Sequence, residues 1–405
     1  MDSEASWRSK RRGGTGVVAQ PTGNLFGWSS EQPRSVQIAI KALGWAIKLP
    51  GGAQLRFRNG IRATVLAATL VAAAISAAPG TAVAEPGGWR AEWPRTDFSQ
   101  HTVPLEEIKS GGPHKDGIRS IDTPRFERLN DGAPFGWANR IGDVEPVISL
   151  TIRGDARAYP LSVLIWHEIV NDIVGGTPVT VTYCPLCNAS LVFERTVENR
   201  ILDFGTTGKL RNADLVMYDR QTESWWQQFG GDAIVGVMSG KRLHLVPSRL
   251  ESFGRFRQRF PNGQVLVPNN PLTRNYGTNP YVGYDASGQR PFLYDGALPD
   301  GIDPMERVIA VETRPGHHEA WSLPLLRERG TIESGDIVLR WEAGQTSALD
   351  KRTIAGGRDV GNVVVQRQQA GQMSDVPYDV TFAFAFHAFR PSSPIHKATS
   401  AGPEN

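Results

Sequence analysis

The sequence predicts a mainly β fold of the α+β class, in which a single β-rich domain of two duplicated halves carries a few short helices. Three observations lead to this prediction. The chain of 405 residues contains 43 glycines and 28 prolines, a composition rich in turns. Short stretches such as PVTVTY at 178–183 alternate between apolar and polar residues, as half-buried strands do. Two stretches about 161 residues apart resemble each other.

The first 84 residues are expected to lie outside this domain. Basic residues at 56–62 precede an apolar run, and residues 82–84 read AVA, a small-x-small cleavage site, so residues 55–84 are typical of a signal peptide. The run is short and rich in alanine, which predicts no stable membrane anchor. We interpret residues 1–54 as disordered or as a mis-assigned translation start. The sequence therefore predicts an exported bacterial protein, periplasmic or secreted.

The charge of the remaining chain argues against nucleic acid as a partner. The whole chain has 44 basic and 41 acidic residues. Residues 1–84 hold 10 of the basic and 3 of the acidic residues, so 34 and 38 remain, a net charge of −4. A mildly acidic body without a basic stripe does not fit a nucleic-acid-binding surface.

The predicted elements follow in chain order. Residues 85–100 are expected to be a linker, 101–395 the domain and 396–405 a tail. Each remaining prediction rests on apolar periodicity, capping residues or turn residues. They are a short helix at 105–110, a hairpin of strands at 146–153 and 156–161, a helix at 161–174, strands at 178–183 and 190–195, a helix at 248–260 with Ser248 as N-cap, and a long loop at 261–304.

The internal resemblance joins 145–164 to 306–326. Val147-Ile148 matches Val308-Ile309, and Tyr159 falls against Trp321 with one inserted residue. VTVTY has a counterpart in IVLRWE, and DLVMYD in YDVTFAFAF. These matches predict an old duplication, with halves at about 101–245 and 300–395, although a chance likeness of two hairpins is the alternative.

The only two cysteines of the chain, Cys184 and Cys187, form a C-x-x-C motif. A strand precedes the motif, and the alternating ASLVFER that follows it predicts another strand instead of the helix of thioredoxin-type enzymes. Pro185 and Asn188 suit a tight turn, in which Asn188 takes the left-handed conformation. The motif is therefore expected to be a strand–turn–strand knuckle, which directs two sulfur atoms toward one point.

Such a knuckle suits either a disulfide or a metal ion. A metal ion needs more than two ligands. The candidates are His167, which precedes the cysteine hairpin, and Met217, which would suit copper(I). Both residues also have ordinary interpretations, as a surface histidine and a core methionine.

A second dense stretch, 204–229, interleaves charged and aromatic residues. Its GTTGK lacks the spacing of a phosphate-binding loop, which excludes that interpretation. Several side chains here and next to the cysteines could support the thiols or contact a substrate. These candidates are His167, Tyr183, Arg211, Asp214, Asp219, Trp225 and Gln227.

Long motifs resemble a bacterial family catalogued as domain of unknown function 3179. They are GGPHKDGIRSIDTPRF at 111–126, ARAYPLSVLIWHEIVND at 156–172, VTYCPLCNASLVFER at 181–195 and GKLRNADLVMYDRQTESWWQQ at 208–228. The C-terminal blocks at 348–367 and 378–391 resemble it too, so that the likeness covers about 100–395. The resemblance implies no established activity.

Three functions remain open from the sequence. The first is thiol–disulfide exchange without a cofactor, in which Cys184 attacks and Cys187 resolves, acting on an unknown redox partner or exported protein. The second is a periplasmic protein that binds or delivers copper or zinc through Cys184, Cys187, His167 and Met217. The third is a non-catalytic binding domain with a structural disulfide.

Overall fold

The computed structural model of the protein describes residues 88–130 and 136–398. The predicted signal peptide at 55–84, the disordered or mis-assigned start at 1–54 and most of the predicted tail lie outside the described residues. Among those described, no helix is both long and apolar enough to cross a membrane.

Strands dominate the described chain, and the helices are short, which confirms the prediction of a mainly β fold. The strands are β1 (Ile108–Ser110), β2 (Arg125–Arg128), β3 (Pro146–Ile152), β4 (Asp155–Pro160), β5 (Ile169–Val174), β6 (Thr177–Cys184), β7 (Ala189–Glu194), β8 (Thr196–Val197), β9 (Arg200–Ile201), β10 (Phe204–Arg211), β11 (Asp214–Asp219), β12 (Trp225–Gln227), β13 (Ala233–Val235), β14 (His244–Leu245), β15 (Arg249–Ser252), β16 (Gln264–Val267), β17 (Arg307–Arg314), β18 (His317–Ser322), β19 (Thr331–Ser334), β20 (Ile337–Glu342), β21 (Asn362–Gln369), β22 (Gln372–Asp375), β23 (Tyr378–Phe382) and β24 (Ile395–His396). The α-helices are α1 (Trp89–Glu92), α2 (Leu161–Leu164), α3 (Phe253–Arg259), α4 (Leu323–Arg329) and α5 (Ala383–Phe389), and 3-10 helices span Leu105–Glu107, Trp137–Arg140 and Ile354–Gly356.

The first hairpin sheet has the strand order β15-β3-β4-β16-β2. Strands β3 and β4 are antiparallel and are joined at Arg153 and Gly154, whose φ angles of 48° and 83° suit a tight two-residue turn. The predicted hairpin is therefore confirmed. Strand β4 pairs in parallel with β16, which the chain reaches only after α3.

The helix predicted at 161–174 is wrong beyond its first turn. Helix α2 ends at Leu164, Glu168 has a left-handed φ of 60°, and the rest of the stretch is strand β5. Five of the six residues of β5 are buried, because both faces of the strand are covered. A strand buried on both faces loses its period-two pattern, so its apolar spacing resembled that of a helix.

Two other helix predictions need correction in their bounds. Residues 249–252 form strand β15, because they pair with β3, and α3 follows with Ser252 instead of Ser248 at its N-cap position. The short helix predicted at 105–110 is a 3-10 helix over Leu105–Glu107 that continues directly into strand β1. In both places, pairing with a distant strand outweighs the local helical pattern.

The second hairpin sheet, β23-β17-β18-β24, repeats the connections of the first. Strands β17 and β18 form an antiparallel hairpin that leads into α4, β23 returns antiparallel to β17, and β24 pairs in parallel with β18 after α5. The stretches VISLTIR and VIAVETR thus take matching positions, but their origin by duplication stays a prediction. The match of DLVMYD with YDVTFAFAF is wrong, since β11 lies in a different kind of sheet from β23.

Each hairpin sheet leads into an antiparallel meander. The cysteine sheet has the order β14-β7-β6-β5, and the second meander sheet has the order β19-β20-β21-β22. Strands β15 and β23, which return to pair with the first strand of their hairpin sheets, each contact the meander of the other part. The backbone N–H of Ser190 on β7 donates to Asp379 Oδ1 on β23 at 2.9 Å. The backbone N–H of Ser252 on β15 donates to Asn362 Oδ1 on β21 at 2.7 Å. The two parts of the domain are therefore interlocked.

A further sheet, the aspartate sheet, has the order β1-β10-β11-β12-β13, and four of its strands, β10 to β13, lie in the chain between β7 and β14 of the cysteine sheet. Residues 88–100, the described part of the segment expected to be a linker, pack on it. Trp93 and Phe98 are buried there, where both rings contact Trp225 edge-on at 5.3 Å. Large aromatic side chains bury much apolar surface, so this segment belongs to the fold.

Candidate functional site

The C-x-x-C motif forms the turn between two antiparallel strands. Strand β6 ends at Cys184, which pairs in register with Ala189, the first residue of β7. Asn188 has a φ of 52°, the left-handed conformation that the sequence predicted for it. The strand–turn–strand knuckle is thus confirmed, and no helix dipole lowers the pKa of the first thiol as it would in a thioredoxin-type site.

Strand β23, from the far end of the chain, holds this turn in place. The carbonyl oxygen of Cys187 accepts hydrogen bonds from Thr381 Oγ1 (2.8 Å) and from the backbone N–H of Phe382 (3.0 Å). Asn188 Nδ2 donates to the carbonyl oxygen of Val380 at 2.6 Å. These contacts orient the turn, because they satisfy buried backbone groups that would otherwise be left without partners.

Asp214, at the start of β11, brings a carboxylate to the two thiols. The sulfur atoms of Cys184 and Cys187 and one carboxylate oxygen of Asp214 all lie within 4.8 Å of one another. Its Oδ2 accepts hydrogen bonds from Gln227 Nε2 (2.6 Å) and from the backbone N–H of Phe229 (2.8 Å). Its Oδ1 is buried and has no hydrogen-bond partner within the described parts of the chain, which is uncommon for a buried polar atom.

Burial favours the neutral, protonated form of Cys184, Cys187 and Asp214 over the charged form. It raises the pKa of the Cys184 thiol and raises that of Cys187 well above its ordinary value. Burial also raises the pKa of Asp214 to about 7, although Gln227 donates a hydrogen bond that favours the charged form. At neutral pH without a bound cation, the thiols are therefore neutral, and a thiolate nucleophile is disfavoured.

Two further buried carboxyl groups, which the sequence analysis missed, lie near this cluster. Burial, followed by the negative charge of Asp214, raises the pKa of Glu168 to about 8. Burial raises the pKa of Asp379 to about 7, and the Oδ2 atom of Asp379 has no hydrogen-bond partner. Among the described residues, no lysine or arginine forms an ion pair with Asp214, Glu168 or Asp379. The site therefore gathers acidic groups without a compensating side-chain cation.

Tyrosines from the long loop that precedes β17 close the site. Tyr284 donates its hydroxyl hydrogen to the carbonyl oxygen of Leu186, inside the C-x-x-C turn, at 3.1 Å. Burial raises the pKa of Tyr281, and the charges that Glu168 and Cys184 carry when they are deprotonated raise it further. Cys184 and Cys187 are consequently only 1% and 0% exposed. The loop predicted at 261–304 is confirmed only from residue 268 onward, because residues 264–267 form strand β16, and its role in covering the thiols was not predicted.

Two predicted site residues lie elsewhere. His167 is hydrogen-bonded through both ring nitrogens, from Nδ1 to the carbonyl oxygen of Arg119 (2.7 Å) and from Nε2 to the hydroxyl of Tyr276 (2.8 Å). Burial lowers the pKa of His167. Arg211 pairs with Glu107 at 2.8 Å. The structure thus gives His167 and Arg211 partners other than the thiols, so neither residue belongs to the cluster at the cysteines.

The other candidates are structural or secondary. Asp219 accepts hydrogen bonds from Thr222 and from Trp226 Nε1 (2.9 Å), which fixes the turn after β11. Trp225 packs in the aromatic cluster with Trp93, and Met217 is fully buried in the main core. Tyr183 donates a long hydrogen bond of 3.4 Å to Asn188 Oδ1, behind the turn. Of the supporting candidates, Asp214 reaches the thiols, and Gln227 orients Asp214.

Comparisons with known proteins identify the family and go no further. A family model with the description "Protein of unknown function (DUF3179)" matches residues 115–393, more than two-thirds of the chain. The match confirms the resemblance that the sequence motifs indicated. A search of curated proteins and a search of solved structures each gave no match.

Proposed function

We propose a function from the site itself, because this chain belongs to the DUF3179 family, whose description assigns none. The proposal is that the protein holds one divalent metal ion, of which zinc fits best, between Cys184, Cys187 and Asp214. The single observation that carries it is the convergence of three buried ligand atoms within 4.8 Å, one of them on Asp214, for whose Oδ1 no hydrogen bond is found among the described residues.

The chemistry of the donor set supports zinc. Zinc accepts thiolate sulfur and carboxylate oxygen in one tetrahedral shell, whereas copper(I) prefers sulfur donors throughout. A dication would also compensate the negative charges of the buried carboxylates. It would stabilise the thiolate form of both cysteines, since a coordinated thiol is deprotonated outright. Three protein ligands leave one position of a tetrahedral shell for a small ligand such as water. The burial of both sulfur atoms favours an ion that is retained over one that is handed on.

The metal content of purified protein tests this proposal. We expect about one zinc ion per chain after purification under anaerobic conditions, and loss of the ion in Asp214→Asn and Cys184→Ser, because each variant removes one ligand. Mass spectrometry of metals measures the stoichiometry. Met217→Leu is the matched control, which should keep the ion if Met217 is a core residue. Full zinc content in Asp214→Asn would contradict the proposal, and loss of copper in Met217→Leu would favour the copper(I) alternative.

Thiol–disulfide exchange is the second candidate, favoured by the two sulfur atoms on one knuckle. Cys184 would attack a disulfide of a partner protein, and Cys187 would then release the partner as a dithiol, so that the two cysteines lose two electrons and two protons to it. The buried position of both thiols requires the loop that carries Tyr281 and Tyr284 to move first. A metal-free protein whose cysteines are reversibly oxidised would support this candidate over the metal centre.

Export is a further proposal, supported by the signal-peptide pattern at 55–84. We expect the protein recovered from outside the cytoplasm to begin at Glu85, because residues 82–84 form the small-x-small cleavage site. N-terminal sequencing of the secreted or periplasmic fraction gives the answer directly. Recovery of the chain with Met1 at its N-terminus would contradict cleavage at this site.

A further inference from the structure

The end of the β20–β21 pair in the second meander sheet corresponds to the end of the β6–β7 pair, where the thiols lie, but it is open to solvent. In the cysteine sheet, the last pair of β6 and β7 is Cys184 with Ala189, and in the second meander sheet the last pair of β20 and β21 is Glu342 with Asn362. At the end of the β6–β7 pair, Asp214 of the aspartate sheet lies next to the thiols. At the end of the β20–β21 pair, the structure has an open groove of about 210 Å³.

The floor of this groove is one face of the second meander sheet. Side chains two residues apart on a strand point to the same face, so Arg340 and Glu342 of β20 lie beside Asn362, Val364 and Gln366 of β21. Strand β15 of the first hairpin sheet and helix α3, which follows it directly in the chain, form the other wall. This wall carries Arg249 of β15 and Arg255 of α3.

Three guanidinium groups line the groove, and the contacts that each makes with its partner differ in strength. Arg249 makes a two-point contact with Asp375, with Nε–Oδ2 at 2.7 Å and Nη2–Oδ1 at 2.6 Å, and this contact fixes its position. Arg340 Nη1 donates only to the neutral Gln366 Oε1, at 3.1 Å. The Arg340 charge thus has no carboxylate partner in the groove.

The third guanidinium, that of Arg255, pairs with Glu342. The side chain of Glu342 is 68% exposed, whereas that of Arg255 is 25% exposed. An ion pair with one partner mostly in solvent contributes little to stability, so another carboxylate or a phosphate could replace Glu342 at small cost. The Glu342 carboxylate therefore marks a position at which an oxyanion contacts Arg255.

We propose that this groove binds a small dianionic ligand through carboxylate or phosphate oxygens, with Arg255 and Arg340 as the contacting residues and Arg249 as a fixed positive wall. Guanidinium groups recognise such oxygens through paired hydrogen bonds. The volume of about 210 Å³ is below the range typical of sites for drug-sized ligands, which selects for a small anion. The site is separate from the thiols and does not depend on the proposed metal ion.

Titration calorimetry with the full chain tests the proposal, with inorganic phosphate and succinate as two separate probes. We expect saturable binding of at least one probe. Arg340→Gln should weaken it by about tenfold, because a charge-assisted contact is lost. Glu342→Gln should strengthen it by several-fold, because the competing carboxylate is removed. Opposite effects of the two variants would locate the bound anion beside Arg340 and Glu342.

The control is Arg128→Gln, which removes the same charge from the edge strand β2, at the opposite end of the first hairpin sheet from β15. It should leave the affinity within about twofold of wild type, since exposed charges at a distance are screened by salt. Melting curves of all variants verify that they fold. The proposal is overturned if neither probe binds saturably, or if Arg340→Gln and Arg128→Gln behave alike.

Discussion

Loading the protein with zinc is expected to reverse the way in which its stability depends on pH. In the metal-free protein, Asp214 and Asp379 have pKa values of about 7 and Glu168 one of about 8, whereas these groups titrate near 4 in an unfolded chain. A raised pKa means that the folded protein keeps a proton that the unfolded chain has released. The associated stability is fully present below about pH 4 and is lost as the pH rises through the folded pKa values.

The expected change is large for a single site. The shift of Asp214 from 3.8 to about 7 corresponds to about 4 kcal/mol, and the other two carboxyl groups act in the same direction. Metal-free protein should therefore become markedly less stable between about pH 4 and pH 8. Zinc binds the deprotonated ligands, so protons compete with it, and the zinc-loaded protein should instead gain stability over the same interval.

Unfolding by urea at pH 5, 6.5 and 8, with a chelator or with excess zinc, measures both slopes. Asp214→Asn with excess zinc is the control, and it should lack the gain of stability toward high pH that zinc produces in the wild type. Parallel curves with and without zinc would show that the ion does not bind at these carboxyl and thiol groups.

The second large effect is expected at Asn188. Replacement by alanine removes the donor to the carbonyl oxygen of Val380 and the acceptor for Tyr183, both buried. It also places alanine, which tolerates the left-handed region less well than asparagine does, at a φ of 52°. Loss of a buried partner costs about 1–3 kcal/mol, and a left-handed conformation costs about 1–2 kcal/mol for such a residue. We expect Asn188→Ala to lower the free energy of unfolding by roughly 3 kcal/mol and to weaken zinc binding.

Two comparisons separate these causes. Asn188→Gly keeps the left-handed backbone without strain and should lose only the hydrogen-bond part, so it should be the milder variant. Asn199→Ala has a similar φ of 63° in an exposed hairpin, where no buried partner is lost, and it should cost only about 1 kcal/mol. Urea denaturation of the three variants decides the matter, and equal effects of Asn188→Ala and Asn199→Ala would exclude a role for the buried contacts.

The knuckle could be predicted from the sequence because both of its strands alternate and its turn residues have strong conformational preferences. The helix predicted at 161–174 failed because β5 is buried on both faces, a property set by distant sheets and absent from the local pattern. Glu168 lies at the point where that prediction failed, with a left-handed backbone that only the structure reveals.

The acidic part of the site was predicted only in part. Asp214 was a candidate because it lies in a stretch that interleaves charged residues with apolar and aromatic ones. Asp379 is likewise a charged residue beside apolar and aromatic ones, in YDVTF, and this signal could have identified it. What the sequence could not show is that these residues meet, since Asp379 contacts Ser190 across 189 positions of the chain. Proximity of this kind depends on how the meanders and hairpin sheets interlock.

The contacts of β23 with the cysteine turn also determine when the site can form during biosynthesis. Thr381 lies 194 positions after Cys187, whose carbonyl oxygen it binds, so a ribosome must complete almost the whole chain before the turn has its last partners. Until then the turn that carries the two thiols lacks these partners, and we expect the thiols to be open to oxidation or to the wrong ion. We therefore expect the proposed ion to come from the compartment in which the final strand joins the fold, and not from the one in which the cysteines are translated.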